Sequence, residues 1–170
     1  AGSCWKGCAS LGRREKAEKM LGFDPTPEQE ALREMTHKFA ANEIRPRAAE
    51  WDRDGVFPLE LFRKAFDLGL MTGFIPETYG GLGLTMLDTC ILEEEISWGC
   101  SGVATSMNAN ALALGPILLA GTGEQKRVFV QPFATEFRFA SFCLTEPGAG
   151  SDAGGIATTA RRDGDGYVLN

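Results

Sequence analysis

Apolar residues recur every three or four positions along the chain up to residue 135, which is the period of helices with one buried face. The first helix has a start signal, in which Thr26 caps the helix and Gln29 reaches back to close a capping box. This helix is expected to end near Pro46, because proline lacks the N–H that a helix interior needs. The pattern therefore predicts a helical region that begins at Thr26.

Four more helices are predicted after it, from an apolar face, a continuous apolar run or a capping pattern. A loop is predicted at Phe74 to Gly83, where glycine and proline disfavour a regular element. The triple glutamate Glu93 to Glu95 is expected on a solvated face, since neighbouring carboxylates point in different directions around a helix. The predicted helices run from Pro58 to Gly69, from Met86 to Trp98, from Val103 to Leu119 and from Gln125 to Phe133.

At Phe137 the period changes from helical to alternating, which predicts a strand. Two further strands, Ile156 to Arg162 and Tyr167 to Leu169, flank a hairpin-type connection at residues 163–166. The sequence thus predicts an α+β fold, in which an all-α helical domain is followed by the opening strands of a β domain. The boundary is expected near residue 135.

A glycine-rich turn follows the first strand directly, in the segment Phe142 to Asp152. Gly148 and Gly150 remove side chains that would keep a ligand away, and they permit backbone angles denied to other residues, so that successive N–H groups can converge on a phosphate. Ser151 and Thr145 add hydroxyls beside them. The glycines are followed neither by the Lys-Ser or Lys-Thr of a nucleoside-triphosphatase loop nor by the helix of a nicotinamide-binding turn. We predict a different phosphate-bearing ligand; the alternative is an ordinary hairpin loop.

Composition and charge argue against several other functions. The 170 residues are 44% hydrophobic and 24% charged, as in ordinary globular domains. Their net charge is −6, with +3 in residues 1–19 and −9 in the rest, which argues against a nucleic-acid surface. One histidine, His37, and five cysteines without a CxxC pair make a zinc site or a disulfide framework a poor fit. We expect reduced thiols and assign His37 no chemistry.

Two segments raise separate questions. The apolar stretch Val103 to Ala120 is interrupted by Asn108 and Asn110, so a buried helix is expected, with a membrane span as the alternative. Residues 1–20 lack the apolar period of the rest, and two hypotheses compete for this leader: non-native sequence upstream of a natural start at Met20, or the remnant of a mitochondrial transit peptide. The first goes with a bacterial cytoplasmic location and the second with the mitochondrial matrix.

The glycine-rich turn also resembles a known family. The string CLTEPGAGSD, Cys143 to Asp152, followed by Gly154 and Gly155, is similar to the first signature of the FAD-dependent acyl-CoA dehydrogenases. Further similarity runs through LGLMTGFIPETYGGLGL, Leu68 to Leu84, and through WGCSGV. The resemblance covers residues 21–170, and among subgroups it is strongest to the medium-chain type.

This resemblance implies a fold, a cofactor and a reaction. The family has an N-terminal α-helical domain, here residues 21–134, then a β-barrel-like middle domain, which residues 135–170 begin, and then a C-terminal helical domain that these 170 residues lack. The family reaction is the α,β-dehydrogenation of an acyl-CoA thioester to the trans-2-enoyl-CoA, in fatty-acid β-oxidation or branched acyl-CoA catabolism. A glutamate removes the α-proton and N5 of FAD accepts the hydride.

Carried over residue by residue, the resemblance assigns two sets of site residues. Leu144 and Thr145 would meet the flavin ring, while Gly150 and Ser151 would bind the pyrophosphate, with Ser151 also on the path of the acyl-CoA. Asp152 is expected to hold the loop, since its carboxylate would repel a pyrophosphate. The cofactor-binding set is Phe142, Cys143, Leu144, Thr145, Gly150 and Ser151. The substrate-binding set, for which ordinary packing is the alternative on the Val103 helix, is Ser151, Ala104, Thr105, Met107 and Asn108.

Asn108 is expected to be the most informative of these, because a buried amide needs a partner or a water. The catalytic glutamate of the family belongs to the C-terminal domain, so no catalytic residue is assigned, and the 170 residues alone are predicted to be inactive and to hold FAD weakly. For the full-length protein the resemblance implies electron-transferring flavoprotein as electron acceptor and a homotetramer. Two alternatives stay open: an acyl-CoA oxidase or nitroalkane-oxidase-like flavoenzyme, and a non-catalytic binding module.

Overall fold

The computed structural model describes residues 24–170, so the predictions for the leader concern residues outside it. In the described part, seven α-helices precede one β-hairpin, which confirms the predicted α+β fold class. The helices are α1 Pro27–Phe39, α2 Ala48–Asp54, α3 Leu59–Asp67, α4 Met86–Gly99, α5 Ser101–Ala120, α6 Gly123–Phe129 and α7 Gln131–Thr135. The strands are β1 Ala160–Asp163 and β2 Gly166–Leu169.

Helix α1 begins and ends where the sequence predicts. The Thr26 hydroxyl accepts the N–H of Gln29 at 3.3 Å, and the Gln29 side chain accepts the N–H of Thr26 at 3.0 Å, which completes the capping box. The helix continues as a π-helical turn, Ala40–Ile44, and stops just before Pro46. Most of the packing between helices is that of α1 on α4 and of α4 on α5.

The sequence pattern missed α2 and merged α6 with α7. Helix α2 spans only two turns and is anchored by one large buried side chain, Trp51, so it carries no apolar period to detect. The predicted helix from Gln125 to Phe133 is two helices, because Pro132 lies at the start of α7 and cannot continue α6. Val130, fully buried, lies at the junction.

Helix α5 packs by one face only. Its length and composition would suffice for a membrane span, but the face that includes Val103, Met107 and Leu114 is buried in the helical domain. The opposite face is exposed, with Leu119 at 89% exposure. The predicted buried helix is therefore buried on one side.

The loop between α3 and α4 folds back on itself through backbone hydrogen bonds. The Gly83 N–H donates to the Ile75 carbonyl at 2.9 Å, and the Leu84 N–H donates to the Gly73 carbonyl at 2.9 Å. A Cβ on Gly81 would collide with the Ile75 carbonyl oxygen, so the fold requires glycine there. This loop, predicted from its glycines and prolines, closes one end of the helical core.

The β part is smaller than predicted. Strands β1 and β2 pair antiparallel with Asp163 opposite Gly166, and Gly164 adopts a φ of 59° in the connection, which confirms the hairpin. The segment Phe137 to Leu144 is extended but is not assigned as a strand. A strand needs a hydrogen-bonded neighbour, and this segment has no backbone partner strand among the described residues.

Candidate functional site

The extended segment Phe137 to Leu144 lies on α3 through aromatic contacts. The Phe139 ring meets the edge of the Phe62 ring at 5.5 Å between centroids, and the Phe137 ring meets Phe66 at 5.8 Å. The Arg63 guanidinium lies 4.7 Å above the centre of the Phe137 ring. The alternating phenylalanines that suggested a strand thus face the helical domain.

A side chain of α5 takes the place of a neighbouring strand. The Asn110 amide nitrogen donates to the Arg138 carbonyl at 3.0 Å, and its amide oxygen accepts the Ala140 N–H at 2.8 Å. Asn110 is only 3% exposed, so both bonds form away from water. One carboxamide therefore fixes the backbone just before the glycine-rich turn.

The glycine-rich turn closes on its own backbone and leaves further N–H groups free. Glu146 and Ala149 exchange two backbone hydrogen bonds, of 3.0 and 3.1 Å, around Pro147 and Gly148. Within residues 24–170, the N–H groups of Gly150 and Ser151 make no hydrogen bond. Both residues are exposed, so these two donors are accessible to an anion.

Gly148 and Gly150 do not have the unusual backbone angles that the sequence predicts for them. Neither Gly148 nor Gly150 adopts a positive φ, so glycine is not needed here for an unusual backbone angle. A Cβ at either position would meet no protein atom within 4 Å. The absence of side chains clears space in front of the turn, and nothing in the described protein fills that space.

Glu146 holds the turn against the chain that follows it. Its carboxylate accepts the N–H groups of Ala157 and Thr158 at 2.8 and 3.0 Å. The hydrogen bond with the Thr158 side chain, followed by these two backbone bonds, keeps the pKa of the Glu146 carboxyl below its ordinary value. The sequence predicts that Asp152 holds the loop, and its backbone carbonyl accepts the Gly155 N–H at 3.1 Å. The Glu-Pro-Gly string alone does not indicate that Glu146 bonds a residue eleven positions ahead.

Comparison with known proteins identifies the family. The model of the acyl-CoA dehydrogenase N-terminal domain matches residues 26–136. The chain is 48% identical over 141 residues to the short-chain specific acyl-CoA dehydrogenase of Bos taurus, a match that covers 82% of this chain and 34% of the relative. It is 40% identical over 152 residues to a probable medium-chain specific acyl-CoA dehydrogenase of Caenorhabditis briggsae, covering 89% of this chain and 37% of the relative. The chain belongs to the acyl-CoA dehydrogenase family.

A solved acyl-CoA dehydrogenase bears on the cofactor. The enzyme from Bacillus anthracis, complexed with FAD, superposes with a TM-score of 0.73 at 36% identity, covering 86% of this chain and 26% of that one. This relative therefore binds FAD, the cofactor that the resemblance implies. The chain spans little more than a third of the length of the two curated relatives, and those relatives include both chain-length types.

The residues of the predicted cofactor set fit FAD in their exposure and chemistry. Phe142 and Leu144 present apolar surface, at 45% and 43% exposure, as a flavin ring requires. Beyond them the Thr145 and Ser151 hydroxyls and the free N–H of Gly150 offer donors to polar ring atoms and phosphates. Cys143 is also exposed and free.

The α5 residues predicted to bind acyl-CoA lie on different faces of the helix. Ala104 and Met107 are buried at 3% exposure and pack in the helical core. Thr105 is exposed, with its hydroxyl donating to the Ser101 carbonyl at 2.9 Å, and Asn108 is half-buried. The described residues therefore bring Met107 and Asn108 together and leave Thr105 on the outer face.

Met107 and Asn108 line a small cavity between α4, α5 and the loop after α3. The cavity measures about 20 Å³, room for one water molecule, and Glu93 lines it as well. Burial raises the pKa of the Glu93 carboxyl above its ordinary value. The expectation of a solvated triple glutamate is wrong for Glu93 and also for Glu95, whose side chain is 15% exposed and contacts His37 at 2.7 Å, because α1 and α5 both pack against α4.

Proposed function

We propose that the full-length protein containing this chain is an FAD-dependent acyl-CoA dehydrogenase, which oxidises an acyl-CoA thioester to the trans-2-enoyl-CoA. The described residues would supply the seat of the cofactor. In this proposal residues 21–134 form the N-terminal helical domain and residues 135–170 begin the middle domain. The proposal includes a medium acyl chain length, which the resemblance implies. It also includes a role of the enzyme in fatty-acid or branched acyl-CoA breakdown.

The observation that carries the proposal is the glycine-rich turn. Its amides at Gly150 and Ser151 are free, the space where a Gly150 side chain would stand is open, and the adjoining surface is apolar at Leu144. A pyrophosphate would accept the two N–H groups and the Ser151 hydroxyl, and an isoalloxazine ring would cover Leu144 with the Thr145 hydroxyl at its edge. The acceptor for the β-hydrogen of the substrate would be supplied by the FAD held there.

The chain's own residues would orient the substrate rather than deprotonate it. Ser151 would lie beside the pyrophosphate and would also contact the acyl-CoA, while Met107 and Asn108 would limit the acyl chain. Glu146, the glutamate of the turn, accepts the N–H groups of Ala157 and Thr158, and these bonds stabilise its carboxylate and make it a poor base. We therefore propose that the base comes from sequence outside these residues, and that the 170 residues alone are inactive.

Gly150→Ala in the full-length protein tests the proposed FAD-binding site. The melting temperature of the apoprotein should stay unchanged, because the added Cβ meets no protein atom within 4 Å. The FAD dissociation constant should rise at least about tenfold, because the methyl group would enter the space assigned to the pyrophosphate. Fluorescence titration of the apoprotein with FAD measures the dissociation constant.

Gly123→Ala is the matched control, since a Cβ there also meets no atom within 4 Å and lies in α6. It should leave both the melting temperature and the FAD affinity unchanged. Equal FAD affinity of Gly150→Ala and the unsubstituted protein would reject the proposed seat. Reduction of electron-transferring flavoprotein by the FAD-loaded protein in the presence of acyl-CoA would support the dehydrogenase. Production of peroxide would identify an oxidase instead. Analytical ultracentrifugation of the full-length protein tests the proposed homotetramer.

A further inference from the structure

Asn110 lies outside both predicted site sets, yet it is the point at which α5 meets the segment that leads into the glycine-rich turn. Its carboxamide bonds the carbonyl of Arg138 and the N–H of Ala140, the two groups that flank Phe139. A neighbouring parallel strand bonds an extended chain by the same pattern. The side chain therefore holds the backbone in the extended conformation at a place where the described residues supply no strand.

The position of Asn110 along α5 connects it to the candidate acyl pocket. Met107 lies one helical turn before it, on the same buried face of α5. In the other direction, Ala140 is only two residues before Phe142, where the candidate flavin surface begins. One buried amide thus connects α5, one turn after Met107, to the segment that reaches Phe142 two residues later.

We propose that Asn110 is a positioning residue, which sets the placement of the flavin-binding segment relative to the acyl-pocket wall. This inference rests on the proposed function. Its two hydrogen bonds are directional and buried, so they define both the distance and the register of the segment on α5. Hydride transfer depends on the separation of the reacting atoms, and a displacement of about 1 Å can cost about a hundredfold in rate.

The test compares Asn110→Leu and Asn110→Asp with the unsubstituted full-length protein loaded with FAD. Leucine keeps the branched shape of the side chain and removes both hydrogen bonds, while aspartate keeps the acceptor for the Ala140 N–H and loses the donor to the Arg138 carbonyl. Single-turnover reduction of the flavin by acyl-CoA is followed by the loss of its visible absorbance. We expect the limiting reduction rate per bound flavin to fall at least tenfold, with the acyl-CoA dissociation constant changed by less than about threefold.

A merely structural role predicts a different result. It would lower the melting temperature but leave the reduction rate of each bound flavin unchanged, and that outcome in either variant would overturn the inference. If Asn110→Leu does not fold, Asn110→Asp decides the question by the same rate. The control is Asn42→Leu, the same change at an exposed asparagine in the π-helical turn, which should leave the rate unchanged.

The failure of this inference is distinct from the failure of the proposed function. An unsubstituted protein that binds no FAD, or whose FAD acyl-CoA does not reduce, would overturn the proposed function itself. An unsubstituted protein that is reduced normally, together with Asn110 variants that are reduced at the same rate, would overturn only the assignment of Asn110.

Discussion

Two glutamates in this chain have carboxyl pKa values displaced in opposite directions by their surroundings. Hydrogen bonds to the side chain and backbone of the chain ahead lower the pKa of Glu146, whereas burial raises that of Glu93. The first carboxylate is stabilised as an anion and closes a turn. The second lines a cavity beside Asn108, where a charge is disfavoured.

Glu93→Gln should stabilise the protein at neutral pH. Because the folded state raises the pKa of Glu93, folding favours the protonated carboxyl, and the contribution to stability is lost as the pH rises through the folded-state pKa. We expect the free energy of unfolding at pH 7 to increase by a few tenths to about 1 kcal/mol, a small value because the group is partly solvated. The gain should shrink as the pH falls toward the ordinary glutamate value of 4.5.

Urea unfolding at pH 7.5 and pH 5 measures this difference. Glu94→Gln is the matched control, because Glu94 is the exposed neighbour on the same helix and should show no comparable gain. A gain for Glu93→Gln that is the same at both pH values would contradict the role of burial.

The sequence pattern pointed to one asparagine of α5, and the structure shows that a second one is more deeply buried. A buried amide was expected at Asn108, which is half-buried, whereas Asn110 is the buried one and satisfies its amide on the backbone of Arg138 and Ala140. The helical period places both positions near the buried face, and only tertiary contacts decide which one meets the extended segment. The partner of Glu146 was unpredictable for the same reason, since it lies eleven residues away.

At the scale of elements, the loop between α3 and α4 depends on glycine more strictly than the turn at the candidate site. Gly81→Ala should destabilise the protein by at least about 2 kcal/mol, because the Cβ would collide with the Ile75 carbonyl, a backbone atom that cannot move aside alone. Gly83 and Leu84 bond back to Ile75 and Gly73, so the strain would open this end of the core. Thermal unfolding of the full-length variant measures the loss.

Gly102→Ala is the control for this change. A Cβ at Gly102 would meet the Cys100 sulfur at 3.8 Å, an ordinary contact, and the residue lies in the first turn of α5. We expect its melting temperature to equal or exceed that of the unsubstituted protein. Similar losses for Gly81→Ala and Gly102→Ala would show that the loop tolerates the added atom.

Elements with a strong apolar period or a capping box were predictable, and those defined by packing were not. Helices α1 and α4 begin with capping boxes and the terminal hairpin has a glycine in its turn, so local bonds determine where these elements start and turn. Helix α5 has no side-chain cap and was predictable from its long apolar run. Helix α2 has too few residues to show a period. The segment from Phe137 alternates as a strand does, but it has a side chain and aromatic rings as partners where a strand would have another strand.

At the scale of the whole molecule, the candidate site depends on how the extended segment is fastened to the helical core. Besides the Asn110 amide, two rings attach the segment to the core: Phe137 contacts Phe66, and the Phe139 ring lies 5.5 Å from both Phe57 and Phe62. Phe62 is 1% exposed and belongs to the main core cluster, so order in the segment is coupled to order in the helices. The turn that would hold the cofactor can stay exposed because the chain before it is anchored.

Phe139→Ala in the full-length protein tests this coupling by hydrogen exchange. The Ala140 N–H, which donates to Asn110, should exchange at least about tenfold faster, because loss of the aromatic contacts, worth about 0.5–1.5 kcal/mol each, lets the segment detach. Amides in the middle of α4 should keep their protection, since the helical core does not need the segment. Tyr167→Ala, an aromatic truncation on β2 at a residue 69% exposed, should leave Ala140 unchanged. Unaltered exchange at Ala140 in Phe139→Ala would mean that Asn110 and Phe137 hold the segment without Phe139. Faster exchange throughout α4 would mean that the segment and the core unfold as one unit.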